Sequence, residues 1–438
     1  MVTAGEPGTQ TGGRDRPDHL DAVRWTARWL ESVAVETPHG LAWPEVPGDD
    51  RPPRAGLGWG SAGVVLFYAE AYRTLGDPAF RHLALEGTRW LTSRLERIRP
   101  LGLYTGLAGV GFVLDVVAGL TDDRETADGA ARVVDLLLTR PDEGDPWDGL
   151  TDVFWGTAGI GLFLLGPAGA KEGLARAEAA GRWLLEVAEP VGGGGLRWGV
   201  GEAYRAIDPR VTDRRFPNFA HGTAGIAFFL ARLARRTGDP RFLDAALAGT
   251  RWVFSCVSTS GGGASAYHHE PDGTGLRTLG FCHGPPGLAL LFRELGIATG
   301  DPAWTEWVDR CATTLRTSGI PARLTPGFWD NVGRCCGSAG VAEFFLDLDR
   351  DPSRDDPGDL LFARLLLDDL LDRATFDGTG MPWSNIEFRR DPPGLPPATS
   401  YLQGAAGIAS TLLRLDRHLR GDLWTVPWVH ITRPDTDD

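Results

Sequence analysis

The sequence has no apolar run approaching the ~20 residues that a membrane-spanning helix requires. It also lacks an excess of basic residues, because 44 lysines and arginines stand against 58 aspartates and glutamates, which gives a net charge of −14. A chain this acidic is a poor partner for nucleic acid or for an anionic membrane surface. These absences exclude an integral membrane protein with helical spans and argue against a nucleic-acid-binding protein.

Cysteine is scarce, with five residues among 438. The N-terminal segment is polar and contains no apolar stretch, so no secretory signal is predicted and we expect a cytoplasmic protein. An odd number of cysteines in a reducing compartment is typical of metal-binding or catalytic thiols and not of a disulfide framework.

Glycine is abundant, at 59 residues, and part of it follows a repeated pattern. Gly-x-x-Gly occurs seven times, each time at the start of an apolar run, at Gly60–Gly63, Gly106–Gly109, Gly156–Gly159, Gly222–Gly225, Gly284–Gly287, Gly337–Gly340 and Gly404–Gly407. A pattern that returns every ~45 to 65 residues indicates that one structural unit has been repeated.

Amphipathic segments with helical spacing of apolar residues alternate with these apolar runs, at 19–35, 80–98, 125–138, 173–188, 242–257, 304–319 and 359–375. The repeated unit is therefore predicted to be a helix pair, with an amphipathic outer helix and an apolar inner helix. Three connectors begin with Gly-Asp-Pro, at 76–78, 238–240 and 300–302. Glycine ends a helix, aspartate caps the next, and proline suits its first turn.

The helix pairs are predicted to close into a ring. Seven uniform apolar inner helices, without a polar capping repeat at either end, favour closure over an open solenoid. The predicted fold is all-α, an (α/α) toroid of seven helix pairs that forms a single domain over residues 18–430. Residues 1–17 and 431–438 are predicted to be disordered tails.

Alignment of the seven copies on their first glycine concentrates cysteine and histidine in three neighbouring copies. Cys282 and Cys335 lie two residues before that glycine, and His221, His283 and Cys336 lie one residue before it. In a closed ring these positions converge at one end of the central axis. Thiolates are preferred ligands of Zn²⁺, and three protein ligands with one open position are typical of a catalytic zinc site.

Each of these residues also has an ordinary structural interpretation. Cysteine packs well in a protein core, which is how we interpret Cys256 and Cys311 in the outer helices. His221 and His283 could be turn histidines, and Asp152, four residues before the third glycine copy, could be a turn or capping acid. Other copies place aromatic residues at the equivalent positions, and we interpret these as an aromatic wall: Trp59, Tyr104 and Trp155.

Three segments, in this order within the seven copies, resemble the lanthionine synthetase C-like cyclases: FAHGTAGI (219–226), FCHGPPGL (281–288) and RCCGSAGV (334–341). The resemblance extends over essentially the whole chain. It implies an (α/α) toroid with one Zn²⁺ per chain at the end of the ring. There the thiol of a peptide cysteine is activated to attack a dehydrated serine or threonine, and the product is a lanthionine or methyllanthionine thioether ring.

The resemblance also implies roles for individual residues. It places the zinc ligands on Cys282, Cys335 and Cys336, the histidine of proton transfer on His221, and the nearby acidic residue on Asp152. Many members have Cys-His where this chain has Cys335-Cys336. Many have tyrosine where this chain has His283, so His283 is a further candidate for proton transfer. Arg277 lies one residue away from the place of a family arginine.

The toroid accounts for the chain, so a separate dehydratase is predicted to prepare the dehydrated precursor peptide. The loop 190–217 could bind an acidic leader peptide or could simply be solvated, and its arginines are Arg197, Arg205, Arg210, Arg214 and Arg215. Three other functions stay open: addition of glutathione or another small thiol to dehydrated proteins, a non-catalytic zinc-containing scaffold, and a toroid glycosidase. A glycosidase would need a pair of acidic residues at the cavity, and the two aligned positions hold none.

Overall fold

The computed structural model describes residues 17–139, 147–206, 209, 211, 213–322, 331–386 and 394–426. Over these residues the chain forms fourteen α-helices and four two-stranded antiparallel sheets. The predicted tails, apart from residue 17, lie outside the described residues, and the domain limits 18–430 stay a prediction. None of the described helices is both long enough and apolar enough to cross a membrane.

Seven inner helices begin directly after the first glycine of each repeated pattern. They are α2 (Ser61–Leu75), α4 (Leu107–Thr121), α6 (Thr157–Leu164), α8 (Thr223–Thr237), α10 (Pro285–Thr299), α12 (Ser338–Asp349) and α14 (Ala405–Leu419). All residues of α6 and the first eleven of α2 are buried, as expected for helices that are apolar on every side.

Seven outer helices coincide with the predicted amphipathic segments, with differences of a few residues at their ends. They are α1 (His19–Ser32), α3 (Pro78–Thr92), α5 (Arg124–Thr139), α7 (Ala170–Glu186), α9 (Pro240–Cys256), α11 (Ala303–Thr317) and α13 (Gly358–Arg373). The Gly-Asp-Pro connectors behave as predicted: Gly76 ends α2 in the left-handed region, and the Asp77 carboxylate accepts a hydrogen bond from Ala79 N at 2.9 Å.

The helix pairs close into a ring, which confirms the toroid. Each inner helix from α2 to α12 packs against the outer helix that follows it, and α14 packs against α1. Neighbouring inner helices contact one another all the way round, including α12 with α14 and α14 with α2. The last inner helix therefore lies between its predecessor and the first inner helix.

A closed circle of backbone hydrogen bonds joins the seven turns that precede the inner helices. In each turn the residue two before the first glycine donates its N–H to the carbonyl of the equivalent residue in the next turn, at 2.7–3.3 Å. The circle, here called the inner ring, runs through Gly58, Tyr104, Phe154, Ala220, Cys282, Cys335 and Leu402, and back to Gly58. Two of the cysteines singled out in the sequence are thus consecutive members of one circle.

Four short hairpins follow outer helices and were not predicted. They pair β1 (Val35–Thr37) with β2 (Gly40–Ala42), β3 (Glu189–Val191) with β4 (Gly195–Arg197), β5 (Val257–Ser258) with β6 (Ser265–Ala266), and β7 (Asn385–Ile386) with β8 (Gly394–Leu395). Strands of two or three residues are too short to show the alternation that identifies a strand in a sequence.

Buried and partly buried charged groups join the last inner helices to the first one. Arg417 of α14 donates to Glu70 Oε2 of α2 at 3.1 Å, and the Tyr401 hydroxyl donates to Glu70 Oε1 at 2.8 Å. Arg334 donates to the Tyr401 oxygen at 2.7 Å and to Glu343 Oε2 of α12 at 2.8 Å. Buried charges persist in a core when they are paired and hydrogen-bonded, as these are. This network, the closure network, spans α12, α14 and α2.

The second glycine of the pattern allows close approach of an inner helix to its own preceding turn. A Cβ on Gly109 of α4 would lie 1.9 Å from the Leu103 carbonyl oxygen, whereas a Cβ on Gly119 of the same helix would meet nothing within 4 Å. We expect Gly109→Ala to lower the free energy of unfolding by about 3 kcal/mol, and Gly119→Ala to raise it by about 0.5 kcal/mol. Urea unfolding of both variants measures the difference, and equal midpoints would contradict the close-approach explanation.

Candidate metal centre and neighbouring histidines

The residues that follow the inner ring form a second circle, which faces solvent. All seven inner-ring residues are buried, and all seven residues one position later are partly exposed. This second circle, here called the rim, consists of Trp59, Thr105, Trp155, His221, His283, Cys336 and Gln403. The end of the toroid at which the inner helices begin is therefore lined by the residues that the repeat alignment singled out.

The turns before α10 and α12 bring the three candidate ligands together. Cys282 N donates to the Cys335 carbonyl oxygen at 3.2 Å, which sets the two turns side by side. Gly280 permits this contact, because a Cβ there would lie 2.6 Å from Cys336 Cα. The glycine at position 280 thus allows the two turns to approach each other closely, and the cysteines lie where the turns meet.

The sulfur atoms of Cys282, Cys335 and Cys336 form a cluster, here called the sulfur cluster, in which all three lie within 4.8 Å of one another. Cys282 Sγ and Cys336 Sγ are 3.3 Å apart. Cys282 and Cys335 are buried, whereas Cys336 on the rim is partly exposed. Gln403 Nε2 donates to Cys336 Sγ at 3.2 Å. The cluster therefore has a closed side against the core and an open side toward the rim.

The thiols of the sulfur cluster oppose one another's ionisation. At Cys282 the hydrogen bond with Cys335 favours the thiolate, but the hydrogen bond with Cys336, burial and the Cys336 charge together raise the pKa well above its usual value. At Cys335 the hydrogen bonds with Cys282 and Cys336, and then burial, raise the pKa in the same direction. Only a cation at the centre of the cluster would let several of these groups ionise together.

The donor set and its spacing suit one soft divalent cation. Thiolates bound tetrahedrally to zinc at about 2.3 Å lie about 3.8 Å from one another, and this value falls between the 3.3 Å that separates Cys282 Sγ from Cys336 Sγ and the 4.8 Å within which all three sulfur atoms lie. Among the described residues, the ligand atoms of these three cysteines lie close enough together to hold a metal ion. A tetrahedral ion held by these three donors would have one position left for an incoming ligand.

His221 and Asp152 form a hydrogen-bonded pair beside the cluster. His221 Nδ1 lies 2.6 Å from Asp152 Oδ2, and Asp152 Oδ1 accepts the Trp155 backbone N–H at 2.7 Å. Asp152 is fully buried and His221 is partly exposed. Because Nδ1 faces a carboxylate, it carries the hydrogen, and Nε2 is the nitrogen left for the site. Asp152 therefore makes both a contact within its own turn and a contact with His221.

His283 lies between His221 and a histidine that the sequence analysis did not single out. The His221 and His283 ring centroids are 5.6 Å apart. The ring of His268, from the loop before α10, stacks on His283 with centroids 4.0 Å apart and an interplanar angle of 22°. Phe216 packs against both rings, at 5.6 Å from His283 and 5.8 Å from His268. The two consecutive histidines at 268 and 269 were the sequence feature from which the His268–His283 contact could have been suspected.

The predicted aromatic wall consists of the rim residues Trp59 and Trp155 and the inner-ring residue Tyr104. Tyr104 stacks on Phe154 with centroids 4.2 Å apart, and Trp59 lies 6.2 Å from Phe154. Trp155 contacts Tyr204 edge to face at 6.1 Å. Phe154 also lies 5.1 Å from His221, so the aromatic wall borders the histidine.

The remaining candidates of the sequence analysis lie elsewhere. Cys256 and Cys311 are buried in α9 and α11, as predicted for core residues. Arg277 is exposed. Several arginines of the 190–217 loop pair with nearby carboxylates: Arg197 with Glu189 and Glu270, Arg205 with Glu202, and Arg215 with Glu189. Arg210 lies outside the described residues.

Comparison with known proteins agrees with this architecture. The family model described as lanthionine synthetase C-like protein matches residues 52–425. A solved chain of nisin cyclase superimposes with a TM-score of 0.56 and 16% identity, covering 92% of this chain and 98% of that chain. The Lin0763 protein from Listeria innocua gives a TM-score of 0.51 and 11% identity, with 92% and 99% covered.

An unsaturated glucuronyl hydrolase from Bacillus sp. GL1 superimposes with a TM-score of 0.48 and 18% identity, covering 91% of this chain and 96% of that chain. A search of curated proteins gives no match. At these identities the structural similarities describe the fold alone, and the family match is what connects the chain to a group of relatives.

Proposed function

This chain belongs to the lanthionine synthetase C-like proteins, and on that premise we propose that it is a zinc-dependent peptide cyclase. It adds the thiol of a peptide cysteine to dehydroalanine or dehydrobutyrine in a Michael-type reaction and forms lanthionine or methyllanthionine. The observation that carries the proposal is the sulfur cluster, open toward a rim that also holds the His221–Asp152 pair.

We propose that Cys282, Cys335 and Cys336 hold one Zn²⁺ per chain. The spacing of their sulfur atoms, the burial of two of them and their opposed ionisation all suit a bound dication. When bound, zinc with an open fourth position lowers the pKa of an incoming thiol and so makes its thiolate available at neutral pH. Gln403 Nε2, which donates to Cys336 Sγ, orients this ligand and tempers its charge.

His221 is proposed to move the proton. Its Nε2 accepts the hydrogen of the substrate thiol while the Asp152 carboxylate stabilises the imidazolium through Nδ1–H. The C–S bond forms at the β-carbon, the C=C π bond breaks, and the α-carbon takes up a proton. The reaction is an isomerisation of the peptide, so it needs no oxidant, reductant or leaving group.

The buried inner ring lies on one side of the site and the partly exposed rim on the other. Arg334, Glu343 and Tyr401 of the closure network line a cavity of about 70 Å³ in the helical ring, and we propose that the peptide binds on the rim side. A reactive enolate formed at the rim would have the aromatic wall and His283 as neighbours. We propose that a separate dehydratase supplies the dehydrated precursor peptide, because the described helices all belong to the toroid, and that both act in the reducing cytoplasm.

Cyclisation is expected with zinc-loaded protein and a pool of synthetic peptides, each with one dehydroalanine and one cysteine. The product keeps the mass of the substrate but no longer reacts with N-ethylmaleimide, so mass spectrometry after alkylation measures the rate. Free glutathione in the same reaction tests the small-thiol alternative, because its adducts are heavier. Unreacted thiols at the level of the enzyme-free control would contradict the proposed function, and glutathione adducts alone would replace the peptide with a small thiol as nucleophile.

A further inference from the structure

Four of the nine histidines in the chain gather at one sector of the rim. Two of them, His221 and His283, belong to the rim itself, and His268 and His269 reach it from the loop between β6 and α10. His268 is partly exposed, whereas His269 is 7% exposed. His268 is therefore the member of the loop pair that faces the opening.

The loop holds His268 in a fixed place. Asn218, which is fully buried, donates from Nδ2 to the His268 carbonyl oxygen at 2.7 Å and to the Tyr267 carbonyl oxygen at 3.1 Å. His268 N donates to the Leu276 carbonyl oxygen at 2.7 Å. The backbones of Arg215 and Glu270 exchange two hydrogen bonds, at 2.9 and 3.0 Å. A loop tied at this many points presents its side chain with little conformational entropy left to lose.

Three rings surround the His268 ring at defined positions. One face stacks on His283, and Phe216 packs edge to face. His268 Nδ1 lies 2.9 Å from His269 Nδ1, so one of these nitrogens donates and the other accepts. Burial, reinforced by the nearby charge of Arg214, lowers the pKa of His269. His269 is therefore the neutral partner in this contact, and His268 donates from Nδ1.

We propose that His268 is a second acid–base residue of this site and delivers the proton that the α-carbon takes up. This inference rests on the proposed cyclase function and extends it. His221, which has a carboxylate partner, suits the removal of the thiol proton, whereas His268, which has a neutral imidazole partner, suits donation. The C–S bond forms as the C=C π bond breaks, the His268 imidazolium gives its proton to the α-carbon, and the thiol proton rests on His221. Solvent then restores both histidines.

A proton delivered from one fixed place fixes the configuration of the new α-carbon. The test uses the zinc-loaded full chain and the peptide pool described above, with His268→Phe, which keeps the stacking ring, and His268→Ala. His82→Phe, at an exposed histidine of α3, is the matched control. Two quantities are measured: the rate of thiol loss, and the ratio of thioether diastereomers by chiral chromatography after hydrolysis.

We expect His268→Phe to cyclise about 100-fold more slowly and to give a mixture of diastereomers, and we expect added imidazole to restore part of the rate of His268→Ala. His82→Phe should match the wild type. An unchanged rate and ratio in His268→Phe would overturn the inference, as would a slower reaction with an unchanged ratio and no rescue by imidazole. If the wild type itself did not cyclise the peptides, the proposed function would be overturned instead.

Discussion

Replacement of Cys282 by alanine is expected to remove zinc from the purified protein and to slow cyclisation at least about 100-fold. The change deletes one of three donors at the closed side of the sulfur cluster and leaves two thiols that do not ionise together. Loss of a residue that only hydrogen-bonds to a metal ligand already lowers metal affinity or activity 10- to 100-fold. Loss of a ligand itself should have a larger effect. Cys336→Ala is expected to behave in the same way.

Elemental analysis of the purified proteins measures this first. The wild type should carry about one zinc per chain, because the chain offers one cluster of three cysteine ligands. Cys311→Ala is the matched control, because Cys311 is another buried thiol but lies in α11 away from the cluster. Cys336→His should keep its zinc, because imidazole nitrogen is also a zinc donor. The proposed zinc site would be contradicted if Cys282→Ala retained its zinc in full. It would also be contradicted if wild type prepared without chelators contained no zinc.

Replacement of His221 by phenylalanine is expected to slow cyclisation by about 10² to 10⁴-fold, the usual range for a general acid–base residue, while zinc stays bound. The change removes the nitrogen that accepts the thiol proton but keeps a ring against Phe154. Asp152→Asn should cost roughly 100-fold, because the amide keeps the shape of the carboxylate but no longer stabilises the imidazolium. The two effects should not add in the double variant, because the residues act as one unit.

A second histidine–carboxylate pair provides the control for this prediction. His418 Nε2 of α14 lies 2.6 Å from Asp349 Oδ2 at the other end of the inner helices, so His418→Phe breaks a pair of the same length without touching the rim. Its cyclisation rate should equal that of the wild type. Equal rates for His221→Phe and the wild type, with zinc present in both, would remove His221 from the reaction.

The repeated glycine pattern accounts for most of what could be predicted of the fold. Each first glycine starts an inner helix, and the register of the copies is the register of the inner ring, in which Cys282 and Cys335 are neighbours. The amphipathic segments located the outer helices, and the lack of capping repeats indicated closure, which the packing of α14 against α1 confirms. The observed helix ends differ by a few residues from the predicted ones, because they depend on local capping interactions.

Two contacts of the site escaped prediction. His268 meets His283 through a loop of no regular period, which leaves no periodic signal in the sequence. Gln403 occupies the position equivalent to Cys336 in the next copy, but the repeat alone does not show that its side chain donates to the Cys336 sulfur. The four hairpins were missed for the related reason that their strands are shorter than the pattern needed to detect them. The family resemblance pointed to Asp152 as an acidic residue near the site, and its carboxylate lies 2.6 Å from His221 Nδ1.

Ring closure also has a consequence for the order in which the protein becomes functional. Chains emerge from the ribosome with their N-terminal parts first, so α1 must wait through the synthesis of every other pair before its partner α14 arrives. All three candidate ligands emerge before Leu402, which completes the inner ring and accepts the Cys335 N–H, and before Gln403, which donates to Cys336 Sγ. A nascent chain therefore holds its cysteines on an open arc, and we expect tight zinc capture to begin only when the last helix has docked.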